Sequence, residues 1–449
     1  MAGGFIISAP SSGSGKTTVT LALLRLLTRS GHAVAPAKVG PDYIDPAFHR
    51  AASGAECINL DPWAMRESTL TRLAVAREQA GLVVAEGVMG LFDGAGANAR
   101  EGGGSSADLY AFTGWPVILV VDAGGMAASA AAIVHGFATF RADITIAGVI
   151  FNKVGSDRHA ALLREAVAGQ GVPVLACLRR DPALALPHRH LGLVQAAEHP
   201  QLDAFMTKAA DALAGQLDTE YLLSLASTRM TQSNREPAAD SAGHLALPPL
   251  GQRISVANDK AFAFNYAAVL NDWRAAGAEV TCFSPLNDEA PSARADAVYL
   301  PGGYPELHAG KLATSRRFLP GLRQAATRGA VVFGECGGYM VLGESIVDKE
   351  GAEHAMAGCL PVHTSFARPR MKLGYRVAQL LADTPLGSAG QTFRGHEFHF
   401  AEELANGCEE ALFACHDAAG RGLGRFGARR GPVMGSFVHL IDRAADSGA

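Results

Sequence analysis

The sequence predicts an α/β protein with two doubly wound parallel-sheet domains, and three observations carry that prediction. Short apolar runs of strand length alternate with stretches of helical periodicity along most of the 449 residues, the pattern left by parallel sheets and their crossover helices. Several of those runs stop at glycines accompanied by acidic, lysine or cysteine residues, and strand ends of this kind are where open α/β sheets build their sites. The alternation lapses between 229 and 251, where Pro237, Pro248 and Pro249 stand among Ser, Asn, Asp and Gly. That composition reads as a linker between domains 1–228 and 252–449, each long enough for its own core.

Composition excludes several classes. Hydrophobic residues make up 48% and charged residues 18%, an ordinary globular balance. A formal charge of −4 gives no footprint for nucleic acid. Apolar stretches such as Pro116 to Val121 suit buried strands and are far too short to cross a bilayer, so no membrane partner is expected. The amino terminus runs from Met1-Ala2-Gly3-Gly4 straight into Phe5-Ile6-Ile7 without a basic leader or cleavage site, which predicts a cytoplasmic protein. The seven cysteines are scattered and form no CxxC pair, so neither a disulfide framework nor a zinc site is indicated.

The first strand, Phe5 to Ser8, is followed by Ala9-Pro10-Ser11-Ser12-Gly13-Ser14-Gly15-Lys16-Thr17-Thr18 and a helical run from Val19 to Leu27. Strand, glycine-rich loop with Lys-Thr, then helix is the context of a phosphate-binding loop, here with Pro10 in place of the first glycine. Gly13 and Gly15 let backbone N–H groups close around phosphate oxygens, with Ser14 and Thr18 beside them. Lys16 reaches the terminal phosphates and Thr17 can hold Mg²⁺, so ATP and Mg²⁺ are the expected cofactors. A second strand, Ala33 to Ala37, leads to Lys38-Val39-Gly40-Pro41-Asp42-Tyr43-Ile44-Asp45-Pro46. A third, Gly81 to Ala85, leads to Glu86-Gly87-Val88-Met89-Gly90-Leu91-Phe92-Asp93-Gly94. Magnesium on a nucleotide takes one or two carboxylates beside phosphate oxygens and water, which makes Asp45 and Glu86 candidate metal ligands. Asp42 and Asp93 either orient substrate or cap turns, and Lys38 can stabilise charge on a transferring phosphoryl group. Strands at Pro116 to Val121, Ile144 to Phe151 and Pro173 to Leu178 continue the pattern, with Asn152 and Lys153 placed to contact the base. Residues Glu198 to Leu225 have helical periodicity.

In the second half, strands are expected at Arg253 to Ala257, Glu279 to Phe283 and Ala297 to Leu300, with a helix from Tyr266 to Ala276 after the first. A further apolar run, Gly329 to Phe333, ends in Gly334-Glu335-Cys336-Gly337-Gly338-Tyr339. Gly-x-Cys-x-Gly at a strand end reads as a sharp strand-to-helix turn that pushes the sulfur outward, and the helix behind it should favour the thiolate. Pro301-Gly302-Gly303 at the preceding strand end can turn an N–H inward, so Gly303 and Gly337 are expected to form an oxyanion hole for Cys336. For the base, residue chemistry leaves His399 in Gly395-His396-Glu397-Phe398-His399-Phe400 and His439 in Gly435-Ser436-Phe437-Val438-His439-Leu440 both open.

The motifs PGGYPE (301–306), GECGGYM (334–340), GHEFHF (395–400) and GSFVHL (435–440) resemble class I glutamine amidotransferase domains of the kind found in corrin-ring amidases. SSGSGKTT (11–18), KVGPDYIDP (38–46) and EGVMGLFDG (86–94) resemble the dethiobiotin-synthetase-like ATPases. Both halves in this order resemble the corrin a,c-diamide synthase family over nearly the whole chain. The resemblance implies a glutaminase in which His439 activates Cys336. Ordinary triads of that class carry Glu two residues after the histidine; here Ile441 stands there and Asp442 lies one residue too far, so a dyad is expected and the third group stays open. It also implies ATP-dependent activation of carboxylates on a tetrapyrrole-derived macrocycle, hydrogenobyrinate or cobyrinate, with glutamine as nitrogen donor. Tyr43 and His49 are then candidates for contact with the macrocycle, and a homodimer is compatible. A nickel-sirohydrochlorin amidase and a cobyric acid synthase share the architecture. A ParA/MinD-like ATPase switch shares the deviant phosphate loop but needs neither KVGPDYIDP nor a Cys–His half.

Overall fold

The computed structural model describes residues 3–96, 103–186, 188–189, 192–226 and 245–445. The chain forms two compact units, Met1–Trp63 with Leu70–Ala239, and Asp240–Ala449 with the short segment Ala64–Thr69.

The first unit is built on seven parallel strands, β1 (Gly4–Ser8), β2 (Val34–Val39), β3 (Ile58–Leu60), β4 (Leu82–Glu86), β5 (Val117–Asp122), β6 (Ile146–Val154) and β7 (Val174–Arg179), in the order β3-β2-β4-β1-β5-β6-β7. The runs Leu-Val-Val-Ala and Val-Ile-Leu-Val-Val are apolar at every position because helices cover both faces of the sheet, and all of these residues are buried. β1 lies between β4 and β5, so the loop from β1 into α1 (Lys16–Arg29) opens at the crevice where strand order reverses. The β2–β4 register sets Lys38 directly beside Glu86. The helical stretch expected over 198–225 is two helices, Leu202–Ala214 and Thr219–Ala226. Gly215 ends the first, and Asp218 starts the second by accepting the Tyr221 N–H at 3.0 Å.

The second unit contains the expected parallel sheet, with strands in the order Glu279–Phe283, Arg253–Ala257, Ala297–Leu300, Val331–Glu335, Val433–Ser436, and one antiparallel edge, Ala428–Arg430. It also holds two sheets that the periodicity did not reveal. One is antiparallel, in the order Gly422–Phe426, Phe413–Asp417, Lys372–Leu380, Thr392–His399, His439–Arg443. The other has four short strands within 345–406. The core of the unit, which includes Phe262, Phe318, Leu322, Leu342 and Ile346, packs under the turn at Cys336; each such side chain contributes about 1.5–3 kcal/mol on burial.

Most of the expected linker lies outside the described residues. Its end, 245–251, is packed rather than solvated: Ala246, Leu247 and Leu250 are buried, the Ala246 N–H donates to Asp272 at 3.2 Å, and the Ala246 carbonyl accepts from Arg443. Two prolines made this stretch look like linker, yet its apolar residues face the core. Among the described residues, no helix is long and apolar enough to cross a membrane.

Candidate active site

In the first unit, Gly13 and Gly15 adopt φ of 81° and 97°, left-handed values open to glycine without strain. Asn152 donates from Nδ2 to the Ser14 carbonyl at 3.0 Å, and Lys153 Nζ reaches the Gly13 carbonyl at 3.2 Å. Asn152, expected at the base, braces the loop here. Lys16 Nζ donates to the carbonyls of Met89 and Ser11, and burial lowers its pKa against the pull of Glu86. The loop borders a cavity of about 680 Å³ lined also by Thr17, Thr18, Asp42, Asp45 and Glu86. The segment Arg179 to Leu186 forms another wall. Sequence reasoning missed that wall because the segment carries no motif; Arg-Arg-Asp-Pro at the end of β7 was the available signal.

Beneath the loop lies a dry cluster of charge. Lys38 Nζ donates to Asp45 Oδ2 at 2.6 Å, Glu86 Oε1 at 3.1 Å and the Gly87 carbonyl at 3.3 Å. Glu86 Oε1 also accepts from Thr17 Oγ1 at 2.7 Å, and its Oε2 lies 2.6 Å from His49 Nε2. Burial opposes charge on both partners, but Asp45 and Glu86 outweigh it at Lys38, and Lys38 with His49 outweighs it at Glu86. Lys38 is therefore held well above its ordinary value and Glu86 well below. Asp45 and Glu86 thus converge on one cation, the lysine ammonium, and Thr17 donates to Glu86 beside it. Asp42 accepts the N–H groups of Ile44 and Asp45 at 2.8 and 2.9 Å, capping the helix Asp45–Ser53, and Asp93 accepts the Gly90 N–H at 2.8 Å. Both acids cap turns; Asp42 also lines the cavity, and the charge of Asp93 acts on Lys16. Tyr43 is mostly buried, and His49 is wholly buried against Glu86 and Cys57. A histidine so enclosed cannot grip a macrocycle; it orients Glu86.

In the second unit, Cys336 sits at φ 48°, ψ −105° between the strand Val331–Glu335 and the helix Gly337–Leu342. Positive φ in a residue with a Cβ is strained, and the turn is tight because a Cβ on Gly338 would enter the Leu300 carbonyl. The Cys336 N–H donates to the Ser436 carbonyl at 2.8 Å, tying the elbow to the strand before His439. A Cβ on Gly302 would meet the His439 imidazole at Cε1 and Nε2 and Cys336 Cβ, so cysteine and imidazole share the space above that glycine. The Gly302 carbonyl accepts from Phe264 at 2.9 Å. Trans peptide geometry turns the Gly303 N–H to the other side, and Gly303 N lies 3.0 Å from where a Gly337 Cβ would stand.

The electrostatics differ from the sequence expectation. Burial pushes the Cys336 thiol far up, with Glu306, Glu397 and Glu335 adding to it; the Gly337 N–H on the sulfur opposes this without reversing it. The short helix does not create a thiolate in the resting site. Burial, with His396 and His399 nearby, holds His439 well below its ordinary value, so a neutral imidazole faces a neutral thiol. His399 is committed elsewhere: Nε2 lies 2.8 Å from Glu397, Nδ1 lies 3.0 Å from the Ala401 carbonyl, and the ring stacks on Phe437 at 3.9 Å. Asp442 is held by Arg66 N–H and Nε at 2.8 and 3.0 Å. Glu335, absent from the sequence reading as a site residue, lies beside His439; a buried strand position filled by an acid was the missed signal.

Residues 5–194 match the model of a CobQ/CobB/MinD/ParA nucleotide binding domain, and residues 253–446 match that of a CobB/CobQ-like glutamine amidotransferase domain. The chain is 54% identical over 444 residues to a hydrogenobyrinate a,c-diamide synthase of Rhizobium meliloti, covering 98% of this chain and 99% of that protein. It is 52% identical over 442 residues to one of Brucella anthropi, covering 98% of each. A third, of Mesorhizobium japonicum, is 50% identical over 444 residues and 98% of each chain.

Proposed function

The chain belongs to the hydrogenobyrinate a,c-diamide synthase family, and from that premise we propose that it amidates the a and c side-chain carboxylates of metal-free hydrogenobyrinate, with ATP and glutamine, in cobalamin biosynthesis. The observation that carries this reading is the pairing in one chain of a phosphate loop over a buried carboxylate cluster with a cysteine elbow seated against a histidine.

The two sites divide the chemistry. At Cys336, Nε2 of neutral His439 takes the thiol proton as Sγ bonds to the side-chain amide carbon of glutamine. The electron pair of the carbonyl moves to its oxygen, which rests on the N–H groups of Gly303 and Gly337. The imidazolium returns the proton to the leaving nitrogen, ammonia departs, and water cleaves the thioester to glutamate. Burial keeps the proton on the thiol, so His439 takes it as the carbon–sulfur bond forms.

At the phosphate loop, a macrocycle carboxylate oxygen attacks the terminal phosphorus of ATP and the bond to ADP breaks. Ammonia then displaces phosphate from the acyl carbon and loses a proton. A carboxylate is otherwise too poor an electrophile for amide formation near neutral pH. Gly13, Ser14, Gly15, Lys16, Thr17 and Thr18 bind phosphates, and Lys38 and Asp93 border the transferring group. Thr17, Asp45 and Glu86 offer only oxygen ligands toward the cavity, with Lys38 balancing the two carboxylates behind them. That donor set fits Mg²⁺, which would neutralise phosphate charge when bound.

The test offers metal-free, cobalt-bearing and nickel-bearing macrocycles to the purified protein with ATP, Mg²⁺ and glutamine, and follows amide products by mass spectrometry. The metal-free ring should be converted to the a,c-diamide most rapidly. Turnover confined to the nickel ring, or none of any ring, contradicts the proposal.

A further inference from the structure

We propose that Glu335, the residue immediately before the nucleophile, is the third member of the glutaminase site: a positioning carboxylate that holds His439 in the tautomer whose Nε2 faces Cys336. The proposal rests on the reading of Cys336 and His439 as nucleophile and base.

Glu335 Oε2 lies 4.0 Å from His439 Nδ1, and Oε1 accepts the N–H of Leu440, the next residue, at 2.9 Å. One carboxylate thus holds the backbone beside the histidine and faces its ring nitrogen. Glu335 is itself fixed, because Oε2 also accepts from Tyr299 Oη at 2.6 Å, and that ring packs between Phe333 and Trp273. A carboxylate at Nδ1 favours the proton there, leaves the Nε2 lone pair for the thiol and stabilises the imidazolium as it forms. The 4.0 Å separation is too long for a resting hydrogen bond; such contacts tighten when the base gains its charge.

The other acids near the site are placed differently. Ile441 occupies the position where ordinary triads of this class carry the acid, and Asp442 is taken by Arg66. Glu397 is held by Arg376 Nε at 2.7 Å and by His399. Glu306 adds to the rise at the Cys336 thiol. His396, the partner of His439 across the antiparallel strands, and His399 both oppose a charge on it. Glu335, facing Nδ1, is a carboxylate placed to offset them. Burial raises its own pKa to about 7, against the hydrogen bonds from Tyr299 and Leu440, so the carboxylate is available on the alkaline side of neutrality.

The test is Glu335→Gln, assayed for glutamine hydrolysis and, separately, for synthesis from free ammonium. The amide retains an acceptor for Leu440 but presents N–H to Nδ1, which inverts the tautomer. The expected result is a kcat for glutamine hydrolysis lowered on the order of 10²-fold, with KM little changed and ammonium-driven synthesis intact. The acid limb of the glutaminase profile should also move to lower pH, because the variant removes the titration of Glu335 itself at about 7, a proton the wild type must lose before the carboxylate can hold the imidazole. A glutaminase kcat within threefold of wild type with an unmoved acid limb overturns the proposal. If the variant loses the ammonium reaction too, Glu335→Asp carries the test, since it keeps the charge but withdraws it by about one carbon–carbon bond. A reduced kcat at constant KM supports the role, and an unchanged kcat overturns it. Failure of the underlying reading looks different: wild-type protein would then release no glutamate, or Cys336→Ala would still use glutamine.

Discussion

Replacing Lys38 by Met isolates what the buried charge cluster does. The ammonium lies 2.6 Å from Asp45 and 3.1 Å from Glu86, with side chains 3%, 10% and 1% exposed. At an effective dielectric of ~20, each contact is an attraction on the order of 5 kcal/mol before desolvation. Desolvation offsets much of it, and removing one partner of a buried pair costs about 3–5 kcal/mol because the other charge stays behind. The variant should lose that much stability in urea unfolding of the first unit, followed by Trp63 and Trp115 in a Trp273→Phe background. Without the cation, the folded pKa values of Asp45 and Glu86 rise. A raised carboxyl favours the folded state at low pH, so the deficit should shrink as pH falls and be greatest above neutrality. Millimolar Mg²⁺ should recover part of the loss in the variant, because a divalent cation can take the ammonium's place between the oxygens. A Lys38→Met protein as stable as wild type at pH 8, or one indifferent to Mg²⁺, would refute the reasoning.

Three further outcomes follow from the geometry. Glu335 carries its proton to about 7 rather than 4.5, so it contributes stability at low pH that is lost as pH rises through 7, on the order of 3 kcal/mol. Glu335→Gln should therefore flatten the dependence of stability on pH and raise the melting temperature above pH 8 while impairing glutamine hydrolysis; a variant destabilised most at alkaline pH contradicts this. Gly302→Ala places a methyl group against the His439 ring and should lower glutaminase activity on the order of 10²-fold while sparing ammonium-driven synthesis, whereas unimpaired hydrolysis would put the imidazole elsewhere. His439→Ala should cost on the order of 10³-fold in glutamine hydrolysis, and His399→Ala, which removes a ring already bonded at both nitrogens, should cost less than about tenfold. The reverse order would reassign the base.

The parts legible in the sequence are those that local covalent patterns specify. The phosphate loop needs glycines at two left-handed positions and Lys-Thr at a helix start, and the elbow needs glycine two residues after Cys336 to clear the Leu300 carbonyl. Such requirements are written within ten residues. The choice between His399 and His439 depends instead on partners such as Glu397, the Ala401 carbonyl and the space over Gly302, two of them remote from the elbow in sequence. Glu335 was missed because its partners, Tyr299 and Leu440, lie 36 and 105 residues away. The antiparallel sheet carrying His439 escaped notice because its strands alternate imperfectly; Lys372–Leu380 is largely part-exposed or exposed until its last residues. The elbow suggested an activated thiolate, and burial overrode the local rule. The segment Ala64–Thr69 joins the second unit only through distant contacts such as Arg66 with Asp442, which periodicity cannot register.

The central claim is that nitrogen is released at Cys336 and consumed at the phosphate loop, and free ammonium salts test it most directly. Synthesis of the a,c-diamide should be measured with glutamine and with ammonium for wild type, Cys336→Ala and Lys16→Ala. Cys336→Ala should lose the glutamine-dependent reaction and keep the ammonium-dependent one, and Lys16→Ala should lose both. A Cys336→Ala protein inactive with either donor, or a Lys16→Ala protein that still forms amide, would contradict the account.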